Sequence, residues 1–308
     1  MSNDFLTEYL LSSLRLSVPL AFAALGGLFC ERSGVLNIAL EGMLLVGAFT
    51  SSIVTAYTAN VWLGILAAVV VGSLVGLLHA FLSVSLRVDQ VVSGLAINLV
   101  AVGLTSFLAR LFSNIISQEL PGLSQISIPA LVDIPVLGSL LFRQDILVYL
   151  LFFLVIFSSY FLFQTNPGLT LRAVGESPKA ADAAGISVEK VRYLAVLASG
   201  FLASLGGAYL AVEHVKYFTE EMTAGRGFIA IAALIFGRWH PIGSFFACLL
   251  FGATEALQLR VQALGLNIPY QFLIMLPYVT ALLALIGLAG KSAAPSALGI
   301  PYSREGDK

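Results

Sequence analysis

Apolar residues run through this chain in long unbroken stretches rather than in alternation. Gly42 to Leu86 contains no Asp, Glu, Lys or Arg, and neither do Gln90 to Ala109, Ile146 to Leu171, Tyr193 to Val212 and Val261 to Gly290. Leu16 to Cys30 is a first such stretch, extended backwards over Arg15, and Gly227 to Gly237 and Pro241 to Thr254 are shorter ones. A helix needs about 20 apolar residues to cross a bilayer, whereas barrel strands show about 10 residues of alternation. The pattern therefore predicts an all-α integral membrane protein, a polytopic helical bundle. The expected spans are 10–30, 34–57, 61–86, 90–112, 145–164, 192–213, 224–237, 241–259 and 269–289. That makes about nine, within a range of about eight to ten. The 224–237 segment is too short to cross fully and suits a broken or tilted helix.

Composition agrees. Of 308 residues, 58% are hydrophobic and 11% charged, against about 45–50% and about 25% in soluble domains. Mean hydropathy is +0.95. The net charge of −1 gives no reason to expect a nucleic-acid partner. Cys30 and Cys248 lie far apart in apolar stretches, so they read as core residues rather than as a disulfide or a metal pair. Residues 1–10 lack the basic region and cleavage site of a secretory signal, and the first apolar stretch is expected to be retained.

Two long loops orient the chain. Residues 113–145 carry Arg143 as their only cation, whereas the loop around 165–191, with its flanks, carries Arg172, Lys179, Lys190 and Arg192. Cytoplasmic loops are enriched in Lys and Arg. The second loop is thus expected in the cytoplasm, together with the tail 291–308, and the first on the outer side. Gly237 to Pro241 then falls inside, with Trp239 as an interface anchor, and the N-terminus falls outside. Gly72 to Gly103 and Phe246 to Ala284 both read as an apolar helix, a short arginine-bearing break and another apolar helix. Arg87 would answer to Arg260, and the opposed directions are those of an inverted repeat. Gly72 and Gly76 have the spacing that permits close helix contact.

The most informative segment is NPGLTLRAVGESPKAADAAGISVEKVR, residues 166–192. Pro167 and Gly168 end the preceding helix. Ser177 before Pro178 suits an N-cap followed by proline at the first helical position. A short alanine-rich helix follows, with Gly185 placed to terminate it. Ser187 caps the next span. Such a helix suits docking into another protein's groove, and it equally suits an amphipathic connector lying on the membrane.

The pattern Gly168, Leu171-Arg172-Ala173-Val174-Gly175-Glu176, Pro178, Ala180-Ala181, Ala184-Gly185-Ile186 resembles the cytoplasmic coupling loop of ABC importer permeases of the branched-chain amino acid and ribose (simple sugar) group. Ser33 to Gly42 (SGVLNIALEG) resembles the early-span motif of that family, especially its nucleoside-transport subgroup, with Ala39 where glycine is frequent. Gly225 to Ala232, leading to Gly237-Arg238-Trp239-His240-Pro241-Ile242-Gly243, is similar too, with His240 where many relatives have asparagine. The resemblance covers about residues 10–290.

It implies a fold of the vitamin-B12-importer type and an ATPase-coupling role for Arg172, Gly175, Glu176, Pro178, Ala180, Ala181, Ala184 and Gly185. It also implies a separate ATPase subunit that holds ATP and Mg, with no cofactor on this chain. A second related permease, in a heterodimer rather than a homodimer, and an extracytoplasmic substrate-binding protein complete the assembly. The implied location is the bacterial plasma membrane. The implied cargo is a nucleoside, ahead of simple sugars and branched-chain amino acids.

Polar residues at membrane depth are costly and need a partner or a cavity. Asn37 and Glu41, four apart and so expected on one helical face, read as pathway or gate residues. Alternatively, Glu41 lies near the cytoplasmic interface and pairs with Arg32, or locks helices together. Asn98 and Glu255 suit either the pathway or helix–helix hydrogen bonding. His79 reads as packing. Gly290-Lys291-Ser292 mimics a P-loop, but Leu285 occupies the required glycine position. Gly225-x-Gly227-x-x-Ala230 mimics a dinucleotide fingerprint without its βαβ setting. Scattered histidines indicate no metal site. An ion-coupled secondary transporter is the rival reading, and it would leave the 166–192 loop without a purpose.

Overall fold

The computed structural model describes residues 2–127, 129, 134, 136–263, 269, 271–272, 275–287 and 294–303. The long helices are α1 (Ser2–Arg32), α2 (Leu40–Thr58), α3 (Val61–Ala80) and α4 (Gln90–Leu111). Two short helices, α5 (Ser113–Ile116) and α6 (Leu137–Phe142), lie in the following loop. There Ile126–Ser127 and Arg143–Gln144 form a small antiparallel clip, β1 and β2. Then come α7 (Ile146–Gln164), α8 (Asn166–Glu176), α9 (Pro178–Ala183) and α10 (Val188–Ala208). The last are α11 (Arg226–Phe236), α12 (Pro241–Ala263) and α13 (Leu276–Gly287). One π-type turn extends α3 to Ser85 and another extends α10 to Val215. Local chemistry starts several of these helices. Side chains of Asn60, Asp89 and Asp145 each accept two of the otherwise unpaired amides that open α3, α4 and α7.

Among the described residues, seven helices are long and apolar enough to cross a membrane: Phe5–Arg32, Leu40–Thr58, Val61–Ser85, Gln90–Leu111, Ile146–Gln164, Val188–Val215 and Pro241–Ala263. They match seven of the expected spans, with one correction. The second starts at Leu40 rather than at 34, because residues 33–39 form an irregular corner. The segment expected at 224–237 is α11, whose 11 residues reach only about 16 Å, roughly half the hydrocarbon core. The last expected span, 269–289, lies partly outside the described residues, which contribute α13.

Helices α1, α2 and α10 form the interior. Phe22, Leu25 and Leu28 of α1 and Leu44 and Leu45 of α2 are fully enclosed. The outward faces of α4 and α7 present Leu99, Phe107, Phe153 and Ile156, as surfaces facing lipid can.

The packing repeats itself. Helix α1 lies antiparallel against α12, with Tyr9 Oη donating to Ala253 O at 3.0 Å and Arg260 reaching back to Phe5 O. Helix α3 lies antiparallel against α10 in the same way, with Gly72 and Gly76 opposite Ser204 and Gly200. Exchanging α1–α4 for α10–α13 preserves these partners, and α2 and α11 both start late, after an irregular segment. The expected repeat therefore extends further than Gly72–Gly103, although its arginine correspondence fails. Arg87 sits in a turn at φ +56°, whereas Arg260 lies within continuous α12, over the Phe5 ring at 4.8 Å.

A Cβ on Gly72 would lie 2.2 Å from Ser204 Cβ, and one on Gly252 would lie 2.4 Å from Ser13 O. Such contacts carry helix association where no hydrophobic drive exists. Gly72→Val is expected to destabilise the bundle by about 1–3 kcal/mol, read as a lower thermal midpoint and a smaller monodisperse fraction in detergent.

Candidate functional site

Two features collect the sequence-derived candidates: the loop 165–191 and a junction deep in the bundle. In the loop, Pro167 and Gly168 do not merely end a helix. They open a new one, α8, with Thr165 Oγ1 accepting from Gly168 N at 3.3 Å. Arg172 lies over the Phe163 ring at 5.0 Å, Arg32 lies over it at 5.6 Å, and His240 stacks on it at 4.8 Å. Burial and then the neighbouring Arg32 hold the His240 imidazole below its ordinary pKa.

Ser177 and Pro178 start α9, as the spacing predicts, although the Ser177 side chain makes no capping bond. Gly185 ends it at φ +85°, with Ile186 N donating to Ala181 O at 3.0 Å. The candidate residues divide by face. Glu176, Ala180, Ala184 and Gly185 are exposed. Ala181 is buried against Val174 and Val188. Gly175 is buried too, and a Cβ there would lie 2.2 Å from Arg32 O. Gly175 and Ala181 therefore fix the loop to the body rather than forming its outer face.

That body contact is the corner between α1 and α2. Gly34, at φ +88°, lies between Gly175, Arg192 and Ala297. The chain then enters the bundle without helical hydrogen bonds, and side chains replace them. Gln90 Oε1 accepts from Leu36 N at 2.7 Å, His79 Nε2 lies 3.1 Å from Leu36 O, and Asn98 Nδ2 donates to Ile38 O at 3.0 Å. His79 and Asn98 are thus backbone partners for a broken helix.

Asn37 is not on a helical face with Glu41, because it belongs to this irregular corner. Its amide donates to Ser199 Oγ at 2.8 Å. Ser199 stands eleven residues beyond Val188 at the start of α10, or about 17 Å along the axis. That is about half the depth of a bilayer core.

Three residues after Asn37 α2 begins, and α11 begins against it. A Cβ on Gly227 would lie 2.4 Å from Glu41 N. The Glu41 carboxylate closes the junction. Oε1 accepts from Thr223 Oγ1 at 2.6 Å and Gly225 N at 2.9 Å, and Oε2 accepts from Gly227 N at 2.6 Å. Helix N-termini attract anions through unpaired amides and the helix dipole, and here the anion is the chain's own side chain. The alternative partner Arg32 is directed elsewhere, its Nε donating to Trp239 O at 2.9 Å, while Glu41 is engaged by Thr223, Gly225 and Gly227. Glu255 pairs with Arg226, the first residue of α11.

The sequence reading missed Thr223 and the amides of Gly225 and Gly227 as carboxylate ligands. The Gly225-x-Gly227 spacing was the available signal, because glycines before a helix permit close approach to an anion. Trp239 also differs from expectation. It is 4% exposed, not an interface anchor, and its indole donates to Glu31 Oε2 at 2.6 Å. Trp239→Phe would leave that buried carboxylate without this donor. The expected destabilisation is about 1–3 kcal/mol, measured by thermal unfolding in detergent. Among the described residues, no group of three or more His, Cys, Asp or Glu could hold a metal.

The family described as branched-chain amino acid transport system / permease component matches residues 9–291. This chain belongs to that family. Among curated relatives, the permease is 43% identical to the guanosine ABC transporter permease protein NupQ of Bacillus subtilis, covering 94% of this chain and 95% of the relative. It is 41% identical to the nucleoside ABC transporter permease protein NupC of Lactococcus lactis, over 93% of each. It is 37% identical to the putative glucose ABC transporter permease protein TsgC13 of Haloferax volcanii, over 99% and 100%. A further permease of Bacillus subtilis, NupP, is 26% identical over 84% of this chain and 75% of its own. No solved structure matches. The permease is a multi-pass protein of the bacterial plasma membrane, and the starts of its helices α2 and α11 meet inside it.

Proposed function

We propose that this permease is one membrane subunit of an ABC importer for nucleosides. The observation that carries the reading is the physical connection between an exposed short helix, α9, and the junction inside the bundle closed by Glu41. Helix α8 carries α9 and rests through Gly175 on the corner at Arg32 to Gly34, and that corner leads within seven residues to Glu41. A partner that moves α9 would therefore act on the junction of α2 and α11. Helix α2 and the short α11 meet through their N-termini, and helix ends inside the bundle are what alternating-access transporters build their central sites from. The 113–145 loop is assigned to the outer side, and the 165–191 loop and the tail to the cytoplasm. A vitamin-B12-importer-like arrangement of the helices is part of the same proposal.

No group for ATP hydrolysis was recognised in the sequence, so a separate ATPase subunit would hold ATP and Mg. The presence in one organism of NupP and NupQ, both named as guanosine permeases, favours a second related permease in a heterodimer. A binding protein would deliver cargo from the outer side. Guanosine and nucleoside transport in the relatives' names favours a nucleoside over the sugar suggested by the Haloferax relative. Asn37, Glu41, Asn98 and Glu255 serve this function by bracing the junction rather than by lining a pathway, since each is engaged by another part of the chain.

The test is uptake of labelled guanosine, supplied outside with its binding protein, by proteoliposomes containing this chain, its second permease and the ATPase. ATP inside should drive uptake, and unlabelled adenosine should compete better than glucose or leucine. Uptake that follows an imposed proton or sodium gradient without the ATPase would establish the secondary-transporter reading instead.

A further inference from the structure

Residues 294–303 form no helix or strand, yet they are held at four places. Ser296 donates through its amide and its hydroxyl to Glu176 Oε2, at 3.2 and 2.8 Å. Ala297 N donates to Gly175 O at 2.9 Å, and Gly299 N donates to Gly34 O at 3.1 Å. Arg192 Nη1 donates to Ile300 O at 3.1 Å, while its Nε donates to Ser33 O at 3.3 Å. Leu298 packs with Trp239, Leu28 and Leu171, and Tyr302 packs with Val174, Ala181 and Val188.

Pro295 and Pro301 bracket the segment and restrict its backbone before it binds. Gly299 takes φ +77°, which other residues rarely adopt. Arg192 is 1% exposed. Enclosing a guanidinium is costly, and here it clamps the carbonyls of two different segments with charge-assisted hydrogen bonds.

The strap therefore joins three elements that the loop alone touches at few points: α8, the α1–α2 corner and α10. We propose that residues 295–302 are a positioning element for energy coupling, a strap that makes α8, α9 and the corner move as one body. This rests on the coupling-loop reading above. With the strap in place, displacement of α9 reaches Gly34 and hence the Glu41 junction. Without it, α9 and α8 hinge against the corner, and ATP is hydrolysed without moving the junction. A coupling free energy between two sites is lost when the element that joins their states is lost.

The test uses the full complex of this chain, second permease and ATPase in proteoliposomes, with guanosine-loaded binding protein as the stimulus. A chain stopped after Ala294 is compared with one stopped after Ser303, which keeps the strap. The strapless complex is expected to assemble and to retain basal ATP hydrolysis within about twofold, while stimulated hydrolysis and guanosine uptake fall about tenfold. The chain stopped after Ser303 is expected to behave as the full chain.

Gly299→Val and Ser296→Ala each disturb one anchor and should show the same split to a lesser degree, so the test survives poor expression of the truncated chain. Unchanged uptake and stimulation in the strapless complex would overturn the proposal. So would a parallel loss of basal and stimulated hydrolysis, because a merely structural role lowers both together. Ala184→Arg separates the two readings. If the ATPase still copurifies with that variant, the coupling-loop assignment itself fails. If it no longer copurifies but the strapless complex transports normally, only the strap assignment fails.

Discussion

Replacement of Glu41 by alanine is expected to abolish uptake and to lower the stability of the permease markedly. The carboxylate accepts three hydrogen bonds from Thr223 and from the amides of Gly225 and Gly227. It is 8% exposed, and its removal strands those donors at membrane depth. Each unsatisfied buried donor costs about 1–3 kcal/mol. Partial relaxation of three donors leaves a loss on the order of 3 kcal/mol or more.

Glu41→Gln is the sharper variant, because it keeps the volume and one acceptor oxygen. Its amide nitrogen would face donors on the other arm, so uptake is expected to fall at least about tenfold with a smaller loss of thermal midpoint. Thr223→Ala removes one ligand and should cost about 1 kcal/mol. Labelled guanosine uptake and thermal unfolding in detergent read both effects. Full activity and unchanged stability of Glu41→Gln would show that the junction is not held by this carboxylate.

The second large effect is expected on the two faces of α9. Ala180 and Ala184 are exposed, whereas Ala181 is 4% exposed beneath Val174 and Val188. An arginine at Ala184 would place an unpaired charge where the ATPase is proposed to seat. A penalty on the order of 3 kcal/mol corresponds to a roughly hundredfold loss of affinity. The ATPase should no longer copurify, while the permease keeps its thermal midpoint and its detergent elution volume.

Ala181→Arg and Gly175→Val should behave in the opposite way. A Cβ on Gly175 meets Arg32 O, and a charge at Ala181 would be forced into an apolar cluster. Both are expected to reduce the yield of folded permease. If Ala184→Arg and Ala181→Arg gave the same phenotype, the division of faces would be wrong.

Much of the architecture was legible because helix formation in a bilayer is a local matter. Each span satisfies its own backbone hydrogen bonds, so an unbroken apolar run of sufficient length reports a crossing without reference to its neighbours. Positions 61–85, 90–111 and 146–164 were readable for this reason. So were the proline that opens α9 and the glycine that closes it, since these act through φ angles and the nearest turns.

Asn37, Glu41 and Asn98 were singled out because polar groups at that depth demand partners. The identity of those partners was not legible. Asn37 meets Ser199 across 162 positions and Glu41 meets Gly227 across 186, and no local periodicity carries that information. The same holds for Trp239, whose partner Glu31 lies 208 positions away.

The sequence by itself determined that this protein is a helical membrane bundle, that one loop carries a short helix opened by proline and closed by glycine, and that a few polar groups inside must be engaged. Those follow from the cost of exposing peptide groups and charges to hydrocarbon, which each segment meets alone. Only the tertiary structure decided that α2 and the short α11 meet through their N-termini at Glu41. It alone decided that Gly175 and Ala181 face inward, and that residues 294–303 strap the loop to the corner. In each case the deciding quantity is a close approach between distant segments: a glycine against a carbonyl, a carboxylate on two amides, a guanidinium on two carbonyls. Such approaches depend on how the helices pack, and packing is a property of the whole chain.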